Sequence, residues 1–461
     1  MKRMIIACSV LLAALWGCGP DNKPDPQVVP EAYEFKIEED ASFSPSLPAL
    51  QSFVWAHHGK YWIMFSGRTN GFHAFDSTGG ANFPVTKANK MIYVYDTEAK
   101  VTDSLPVPEF GGDTGNVFLC TNLPHTQRGK YLYACGGYGV TVPQGPYSKK
   151  TYNYFMKVDM AKMIEAVQKK DPSAVKRSIK WGQNDLVQNT GGELYHLDDD
   201  KFYLCVGHVF TGRYMDTTAK QVYQNSVRVF SITESNSGIE LVQAGRIPAT
   251  AGTDTFEFHR RDLVVAPMVL ANGKDVGIGI YGGVFTPTSG PPEANNGVNY
   301  THPIYLDPAS ANAYQIDPAN QFANIYSTAF LSMYDPKVKK MMTTFFGGLG
   351  DSLTRYDSSA SWTKKITTAE RSYAGSGGTV FRLNTDMLPH YMGAEGVFVP
   401  SPNAAFYNED FDVLDYSKLK SGEVVGYIYG GIRSPNGSPN NDQTWASKKV
   451  YKVTLIKSNA E

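Results

Sequence analysis

The segment Gly426–Gly437 reads GYIYGGIRSPNG. A run of aromatic and aliphatic residues ends at a glycine pair, and a polar loop follows. Aromatic and branched side chains suit pleated strands, whereas Gly and Pro interrupt regular structure. The segment therefore predicts a β-strand that ends at Gly430 and Gly431.

This pattern is repeated along the chain. The other copies are KYWIMFSGRTNG, KYLYACGGYG, KFYLCVGHVFTG, VGIGIYGGVF and KMMTTFFGGLG. The glycines that end the six strands are Gly67, Gly137, Gly207, Gly283, Gly348 and Gly431, so the spacings are 70, 70, 76, 65 and 83 residues. A recurring period indicates a repeat architecture, because each unit is then one supersecondary element.

Each copy predicts a small antiparallel sheet. A tight polar turn joins the glycine strand to an apolar segment before it, as in SFVWA-HHGK-YWIMFSG and ELYHL-DDD-KFYLCVG, which favours a β-hairpin. A third strand follows each loop, as in KMIYVYDTEA or, in the fifth copy, TVFRLN after a long loop from Leu349 to Gly377. VKRSIKW and IELVQAGRIP predict fourth strands. Six such units predict an all-β fold, a six-bladed β-propeller with four antiparallel strands per blade.

The N-terminal segment can supply a strand that the sixth copy lacks. The sixth copy lacks an outer strand, and AYEFKIEED near the N-terminus has no copy of its own. We expect Tyr33–Glu39 to pair beside residues 450–456 and close the ring, since an unpaired strand edge is otherwise exposed. Helix is scarce, although residues 160–170 have apolar residues at helical spacing and predict a short helical insertion in the second unit.

The glycine strand, the loop and a third strand such as YVYDTE, MKVDMA or IYLDP resemble the kelch repeat over residues 33–457. The resemblance implies a kelch-like propeller. It implies little about activity, because one fold carries many functions.

The N-terminus reads MKRMIIACSVLLAALWGC, with two cations before a short apolar run. This pattern is typical of a signal peptide over residues 1–17, and Leu15–Cys18 resembles a lipobox in which Cys18 is lipidated. A secretory signal cut elsewhere is the alternative. Residues 18–32 then form a proline-rich tether and residues 33–458 the propeller. We expect an outer-membrane lipoprotein that faces the periplasm or the surface and contacts the membrane through its lipid only.

The net charge bears on nucleic-acid binding, and the cysteine count limits the possible disulfides. The formal net charge is −1, which does not favour nucleic-acid binding. The three cysteines beyond the signal and lipid positions are Cys120, Cys135 and Cys205. They permit at most one internal disulfide, for which Cys120 and Cys135 are candidates, and three buried thiols are the alternative.

The six loops after the glycines are long and gather on one face, whereas the opposite turns are expected to stay short. These loops are rich in Asn, Ser, Thr, Tyr, Gly and Trp, which suits a glycan or a protein surface. The candidate ligand-binding residues are Arg68, Arg213, Arg433, His208, Tyr214 and Trp445. The arginines could hold a carboxylate or sulfate.

Acidic residues recur at the start of the innermost strands. They are Asp113, Glu193, Asp254, Glu257 and Glu395. Such a ring could bind calcium or provide an acid and a base for sugar chemistry, and the alternative is that it caps turns. Among the histidines, His196 and His208 are the best candidates to line a pocket. His57 and His58 are expected to be exposed to solvent. The sequence contains no recognised metal-binding spacing and no other recognised cofactor motif.

Two functions follow from the sequence. The first is a binding or scaffolding module that uses the face with the long loops to engage a glycan, a peptide or an envelope protein. The second is a sugar-modifying enzyme, which the resemblance to kelch-type sialic-acid mutarotases implies. In that alternative Glu193 or Glu395 would shuttle protons while Arg68, Arg213 or Arg433 held a carboxylate.

Overall fold

The structure is a computed structural model. It describes residues 33–43, 46–73, 83–141, 149–213, 217–249, 256–284, 286–287, 295–310, 313–321, 325–349, 362–374, 377–439 and 441–458. The chain is all-β in these ranges, and its four-stranded antiparallel sheets are consistent with a β-propeller.

Six sheets in the described ranges share one topology, in which strands that follow each other in sequence lie side by side. Sheet 1 comprises Val54–His58, Tyr61–Phe65, Met91–Asp96 and Val101–Pro106, and sheet 2 comprises His125–Arg128, Tyr131–Cys135, Tyr154–Asp159 and Ile179–Gln183. Sheet 3 comprises Glu193–His196, Phe202–Cys205, Val227–Ser235 and Gly238–Ile247, and sheet 4 comprises Val264–Val269, Val276–Tyr281, Ile304–Leu306 and Tyr314–Ile316. Sheet 5 comprises Phe330–Asp335, Lys340–Leu349, Trp362–Ser372 and Gly378–Met387, and sheet 6 comprises Gly396–Pro400, Glu423–Gly430, Val450–Lys457 and Tyr33–Glu39.

The N-terminal strand completes sheet 6. Tyr33–Glu39 pairs antiparallel with Val450–Lys457, in a register that runs from Tyr33 opposite Lys457 to Glu39 opposite Tyr451. Phe35 on this strand is fully buried and packs edge-to-face on Phe346 of sheet 5. The predicted pairing of the two chain ends is confirmed.

The fifth copy corrects the sequence analysis. Residues 349–377 were expected to form a loop, but Trp362–Ser372 is the third strand of sheet 5 and pairs with Lys340–Leu349. TVFRLN therefore belongs to the fourth strand, Gly378–Met387, and not to the third. The strand WTKKITTAERS contains several polar residues, so its hydrophobic pattern is weak.

The repeated glycines link neighbouring sheets. The N–H group that ends a second strand donates to a carbonyl just before the next sheet: Gly67 to Cys120 (2.8 Å), Gly137 to Asn189 (2.8 Å), Gly207 to Arg260 (2.9 Å), Gly348 to Met392 (3.3 Å) and Gly431 to Leu50 (2.8 Å). The last bond runs from sheet 6 to sheet 1. Gly431 has a φ of +76°, and a Cβ there would lie 2.6 Å from the Ala394 carbonyl oxygen, so only glycine fits.

Helical segments decorate the sheets. Met160–Gln168 and Pro172–Arg177 connect the last two strands of sheet 2, which confirms the predicted insertion, and Asp159 and Asp171 accept N-terminal capping bonds. The remaining helical turns are Thr114–Val117, Val85–Lys87, Asp185–Val187, Glu409–Phe411 and Asn441–Gln443. None of the helices in the described ranges is long and apolar enough to cross a membrane.

The loops after the glycines carry structure of their own. The loops of sheets 2 and 3 join in one small sheet, and two hairpins belong to sheets 4 and 6. Their strands are Tyr138–Val140, Lys149–Thr151, His208–Thr211 and Lys220–Tyr223, then Thr286–Pro287 with Asn295–Val298 and Ile432–Arg433 with Trp445–Ala446.

The opposite end of the sheets is also elaborated, which corrects the expectation that its turns stay short. Residues 401–422, here called the strap, connect the first two strands of sheet 6. Within the strap, Phe406–Asn408 and Val413–Asp415 add to sheet 5, where Val413–Asp415 runs parallel to Phe330–Asp335.

Candidate central cavity

One cavity touches the first strand of all six sheets. Its volume is about 440 Å³, within the range of small-molecule sites. The residues that each first strand contributes include Trp55, Gln127, Tyr195, Val265, Phe330 and Val397, in order from sheet 1 to sheet 6. The first strands therefore converge on a common space, here called the central cavity.

A residue one to three places before each first strand lies in the left-handed backbone region. These residues, here called the collar, are Ser52 (φ 50°), Asn122 (φ 52°), Gly191 (φ 65°), Asp262 (φ 53°), Ser327 (φ 33°) and Glu395 (φ 56°). Non-glycine residues rarely adopt this conformation, and such strain clusters at functional sites. Four of these residues, Ser52, Asn122, Ser327 and Glu395, are polar and line the central cavity.

Hydrogen bonds join the collar across sheets. The Glu395 N–H group donates to the Ser327 carbonyl (2.6 Å), and the Asp262 N–H group donates to the Gly191 carbonyl (2.8 Å). The Ser52 hydroxyl donates to Oε2 of Glu395 at 2.8 Å, which connects sheet 1 to sheet 6. The Glu395 carboxyl is thus fixed in position.

Two carboxyl groups of the cavity resist ionisation. Burial, together with Glu395 and Asp262, raises the pKa of Glu193 to about 8. Burial and the nearby Asp262 raise the pKa of Glu395 to about 8, although Ser52 and Ser327 oppose this. Both side chains lie deep in the molecule and keep partial exposure only because they touch the cavity. Near neutral pH this pair is largely protonated, so it can donate hydrogen bonds.

The rest of the lining combines rings with hydrogen-bonding groups. Trp55, Tyr195 and Phe411 provide aromatic surface, and the Tyr195 hydroxyl donates to the Val265 carbonyl at 3.0 Å. Among the described residues, the lining contains no Lys or Arg. The cavity is therefore acidic and partly aromatic.

The strap closes over the far end of the cavity. Its segment Glu409–Asp412 lines the cavity, and Asp412 lies 3.1 Å from Nε2 of His57. Burial opposes protonation of His57, but the Asp412 carboxylate outweighs it and the pKa of His57 is raised. His57 and His58 were expected in solvent, and the structure instead places both at the cavity wall.

Two predicted acidic candidates lie elsewhere, each with a cation. Asp113 is 2.8 Å from Lys150 of the loop sheet, and Glu257 is 2.8 Å from Arg260. Neither lines the central cavity in the described chain. Of the predicted acids, the structure brings together only Glu193 and Glu395, and Asp254 lies outside the described residues.

The three arginines do not form one site. Arg68 is buried and donates to Oδ1 of Asn70 and to the Pro84 carbonyl. Arg213 lies in the same region, because Lys149 is close to both arginines. Burial, followed by the charges of Arg68 and Arg213, lowers the pKa of Lys149 to about 8. Arg433 lies over the ring of Trp445, which is 43% exposed. The predicted anion site at the sheet centre is therefore not assembled from these residues.

His208 lines a second, smaller space of about 60 Å³, here called the chamber, which shares Ser52, Asn122 and Glu395 with the central cavity. Nε2 of His208 lies 3.3 Å from Nη1 of Arg261, and burial followed by Arg261 lowers the pKa of His208 well below its usual value. Tyr214 lies outside the described residues. His196 stacks on Phe202 away from both spaces.

The three cysteines are buried free thiols. Cys135 lies opposite Phe155 in sheet 2, and Cys120 precedes that sheet, with its thiol near the Asn116 carbonyl. The two are thus not on adjacent strands, and the disulfide considered between Cys120 and Cys135 is not formed.

Sequence reasoning missed Trp55, Tyr195, His57, Asp262 and Asp412. Asp262 could have been found by aligning RRDLVVAP with GAEGVFVP, because both place an acid just before a first strand. Asp412 carries no such signal, since the strap has no counterpart in the repeat. Within the described residues, no group of three or more His, Cys, Asp or Glu is arranged to hold a metal ion, so the calcium alternative gains no support.

Comparison with known proteins gives limited information. No protein-family model matches the chain, and no curated protein matches it. Among solved structures, one titled "Structure of YjhT" aligns with a TM-score of 0.47 and 12% identity, covering 88% of this chain and 99% of that chain.

Proposed function

We propose that this protein is an exported, lipid-anchored, six-bladed β-propeller of kelch type that binds a glycan in its central cavity. The observation that carries the proposal is the convergence of six first strands on one cavity of about 440 Å³. The pairing of Tyr33–Glu39 with the last strand and the bond from Gly431 to Leu50 support a closed ring of six blades.

A glycan suits the lining. Sugar rings present hydroxyl groups at their edges and flatter C–H surfaces on their faces, so sites for them combine polar groups with aromatic rings. The cavity offers Trp55, Tyr195 and Phe411 as rings and the protonated Glu193 and Glu395 as donors. The lack of Lys and Arg in the described lining disfavours an anionic sugar.

A titration with neutral mono- and disaccharides tests this proposal. Calorimetry or ligand-observed NMR should detect binding that Trp55→Ala weakens at least tenfold. Trp445→Ala is the matched control, because Trp445 lies on the loop face and outside the cavity lining. Loss of binding in Trp445→Ala, with Trp55→Ala unaffected, would move the site to the loops and refute a central site.

A sugar-modifying enzyme is the second candidate, and the pKa values of Glu193 and Glu395 favour it. Carboxyls that titrate near neutral pH can exchange roles as acid and base. In ring opening of a reducing sugar, one carboxylate would take the proton of the anomeric hydroxyl while the other carboxyl protonated the ring oxygen. Exchange NMR of sugar anomers should then show acceleration by the protein and its loss in Glu395→Gln.

The location of the protein is proposed from the sequence. Residues 1–17 act as the signal peptide, Cys18 carries the lipid and residues 18–32 hold the propeller away from an outer membrane. Scaffolding of an envelope partner remains compatible with this anchoring. Metabolic labelling with a fatty acid should mark the protein, and Cys18→Ser should abolish the label and release the protein from the membrane fraction.

A further inference from the structure

The Glu193 carboxyl has an unusual environment. It lies opposite Cys205 at the start of sheet 3, and its partly exposed side chain faces the central cavity with no hydrogen-bond or ion-pair partner among the described residues. Carboxyl groups in a protein interior normally have a hydrogen-bond partner, which is protein, water or ligand. An unpaired carboxyl that faces a cavity points to a partner that arrives from the cavity.

Most of the ionisable groups around the cavity are acidic. Glu409, Asp410 and Asp412 of the strap line the end opposite Glu193 and Glu395. His57 pairs with Asp412, and Arg128 contacts Asp410 at 3.6 Å and the ring of Phe411 at 4.2 Å without lining the cavity. The acidic groups thus outnumber the cations that face them.

The aromatic part of the lining adds a second, independent feature. Trp55, Tyr195, Phe330, Phe398 and Phe411 all touch the cavity. Faces of aromatic rings attract cations, and cages of such rings recognise quaternary ammonium groups. Carboxyl groups and aromatic rings together recognise a positively charged nitrogen.

We infer that the ligand of the central cavity carries an organic ammonium group, which lies against Glu193 and Glu395 with aromatic rings around it. This inference rests on the proposed binding function and specifies the chemistry of the ligand. The ammonium can belong to an amino sugar or to a small alkylamine, since both present the same charge to the cavity.

Proton linkage follows from the geometry. A bound cation stabilises the ionised carboxylate, so binding should release protons in the pH range where the pair is still protonated. Three further titratable groups lie near the pair: Asp262, Tyr195 and Cys205. The Asp262 carboxylate is 3.4 Å from Nε of Arg261. Burial raises the pKa values of Tyr195 and Cys205, so these two groups keep their protons below pH 8. Burial also raises the pKa of Asp262, so the released proton comes from the carboxyl groups.

Choline and its uncharged carbon isostere, 3,3-dimethylbutan-1-ol, test the inference on the full-length protein. Choline keeps its charge at every pH, so only the protein titrates. We expect choline to bind at least tenfold more tightly than the isostere, and its affinity to rise about tenfold per pH unit below pH 8, where one proton is released. Calorimetry in two buffers of different ionisation heat measures that proton directly.

Two variants test whether choline binds at Glu193 in the central cavity. Glu193→Gln should weaken choline at least tenfold, while Glu257→Gln, which changes an acid outside the cavity lining, should not. Near-UV circular dichroism verifies that both variants fold. Glucosamine compared with glucose separates the two sources of the ammonium, because preference for glucosamine indicates an amino sugar and binding of choline alone indicates an alkylamine.

The outcomes are distinguishable. Equal affinity for choline and its isostere, or choline binding that Glu193→Gln leaves unchanged, would overturn the ammonium inference. Binding of neutral sugars with no binding of choline would overturn the inference and leave the proposed glycan function standing. Failure of every probe would count against both.

Discussion

The acids in the central cavity differ sharply from those among the loops. Glu257 and Asp113 each have a cation at 2.8 Å. In contrast, no Lys or Arg of the described chain lines the cavity that Glu193 and Glu395 face, and the pKa of each of these two is raised to about 8. The four residues are similar in sequence context, since all occur before or at the start of a predicted inner strand. The difference shows that position relative to the cavity, and not residue type, determines whether the carboxyl group forms an ion pair within the protein or faces the cavity without a cation.

The largest expected effect concerns the N-terminal strand, which completes sheet 6. Phe35→Ala removes a fully buried ring from the N-terminal strand, and we expect the free energy of unfolding to fall by about 3–5 kcal/mol. Lys36→Ala, on the exposed face of that strand, should change it by less than about 0.5 kcal/mol. Urea unfolding measures the free energy of unfolding of both variants. Equal effects would show that the side chain of Phe35 does not stabilise the core.

The second prediction concerns the acid among the loops. Arg260 is fully buried and donates to Glu257 and to the Gly282 carbonyl, so Arg260→Met leaves the buried Gly282 carbonyl without this donor. We expect a loss of about 1–3 kcal/mol, the usual cost of a buried acceptor that has lost its donor. The loss should exceed that of Glu193→Gln at pH 7 in the same assay, and the reverse order would contradict the comparison.

The third prediction concerns the acid in the cavity. The pKa of Glu193 is raised to about 8 in the folded state, against 4.5 for an ordinary Glu. The folded state therefore binds more protons than the unfolded state between these values, and stability falls as the pH rises through this window. Glu193→Gln removes this penalty.

Thermal unfolding should show Glu193→Gln more stable than the natural protein at pH 9, on the order of 1–3 kcal/mol, and no such gain at pH 4. Glu257→Gln should show no stabilisation at pH 9. A pH-independent effect of Glu193→Gln would indicate that the pKa of Glu193 is the same in the folded and unfolded states.

The smallest effect concerns the strap. The Asp412 carboxylate raises the pKa of His57 above its usual 6.5, so this pair adds stability below that pH and loses it as the pH rises through the folded pKa. Asp412→Asn should cost about 0.5 kcal/mol at pH 5.5 and almost nothing at pH 8.5, because partly exposed pairs contribute little. Urea unfolding at both pH values checks this, and an equal cost at both would exclude the charge of His57 as the cause.

The sequence predicted much of the fold because its signals repeat. The glycine strands and the pairing of Tyr33–Glu39 with Val450–Lys457 follow from hydrophobic pattern and the six-fold period. The third strand of sheet 5 escaped detection because Thr and Lys dilute its pattern. The strap escaped because it occurs in one repeat only.

The site was predicted in part. Glu193 and Glu395 were named with Asp113 and Glu257, but the sequence could not separate the two pairs, because cations such as Arg260 and Lys150 approach through the fold. The same limit applied to the arginines after the glycines, because Arg68 donates to its own loop and Arg433 lies over the ring of Trp445 in its own loop. His57 was missed because the strap covers a turn that looked exposed.

The most direct test of the account is a carbon-13 NMR titration of the Glu193 and Glu395 carboxyls in the protein labelled at glutamate, with Glu193→Gln and Glu395→Gln used for assignment. The account predicts that the pair titrates with apparent pKa values near 8 in the free protein. Titration of both carboxyls near 4.5 would show that they are solvated or paired, and would contradict a protonated acid pair at the centre of the propeller.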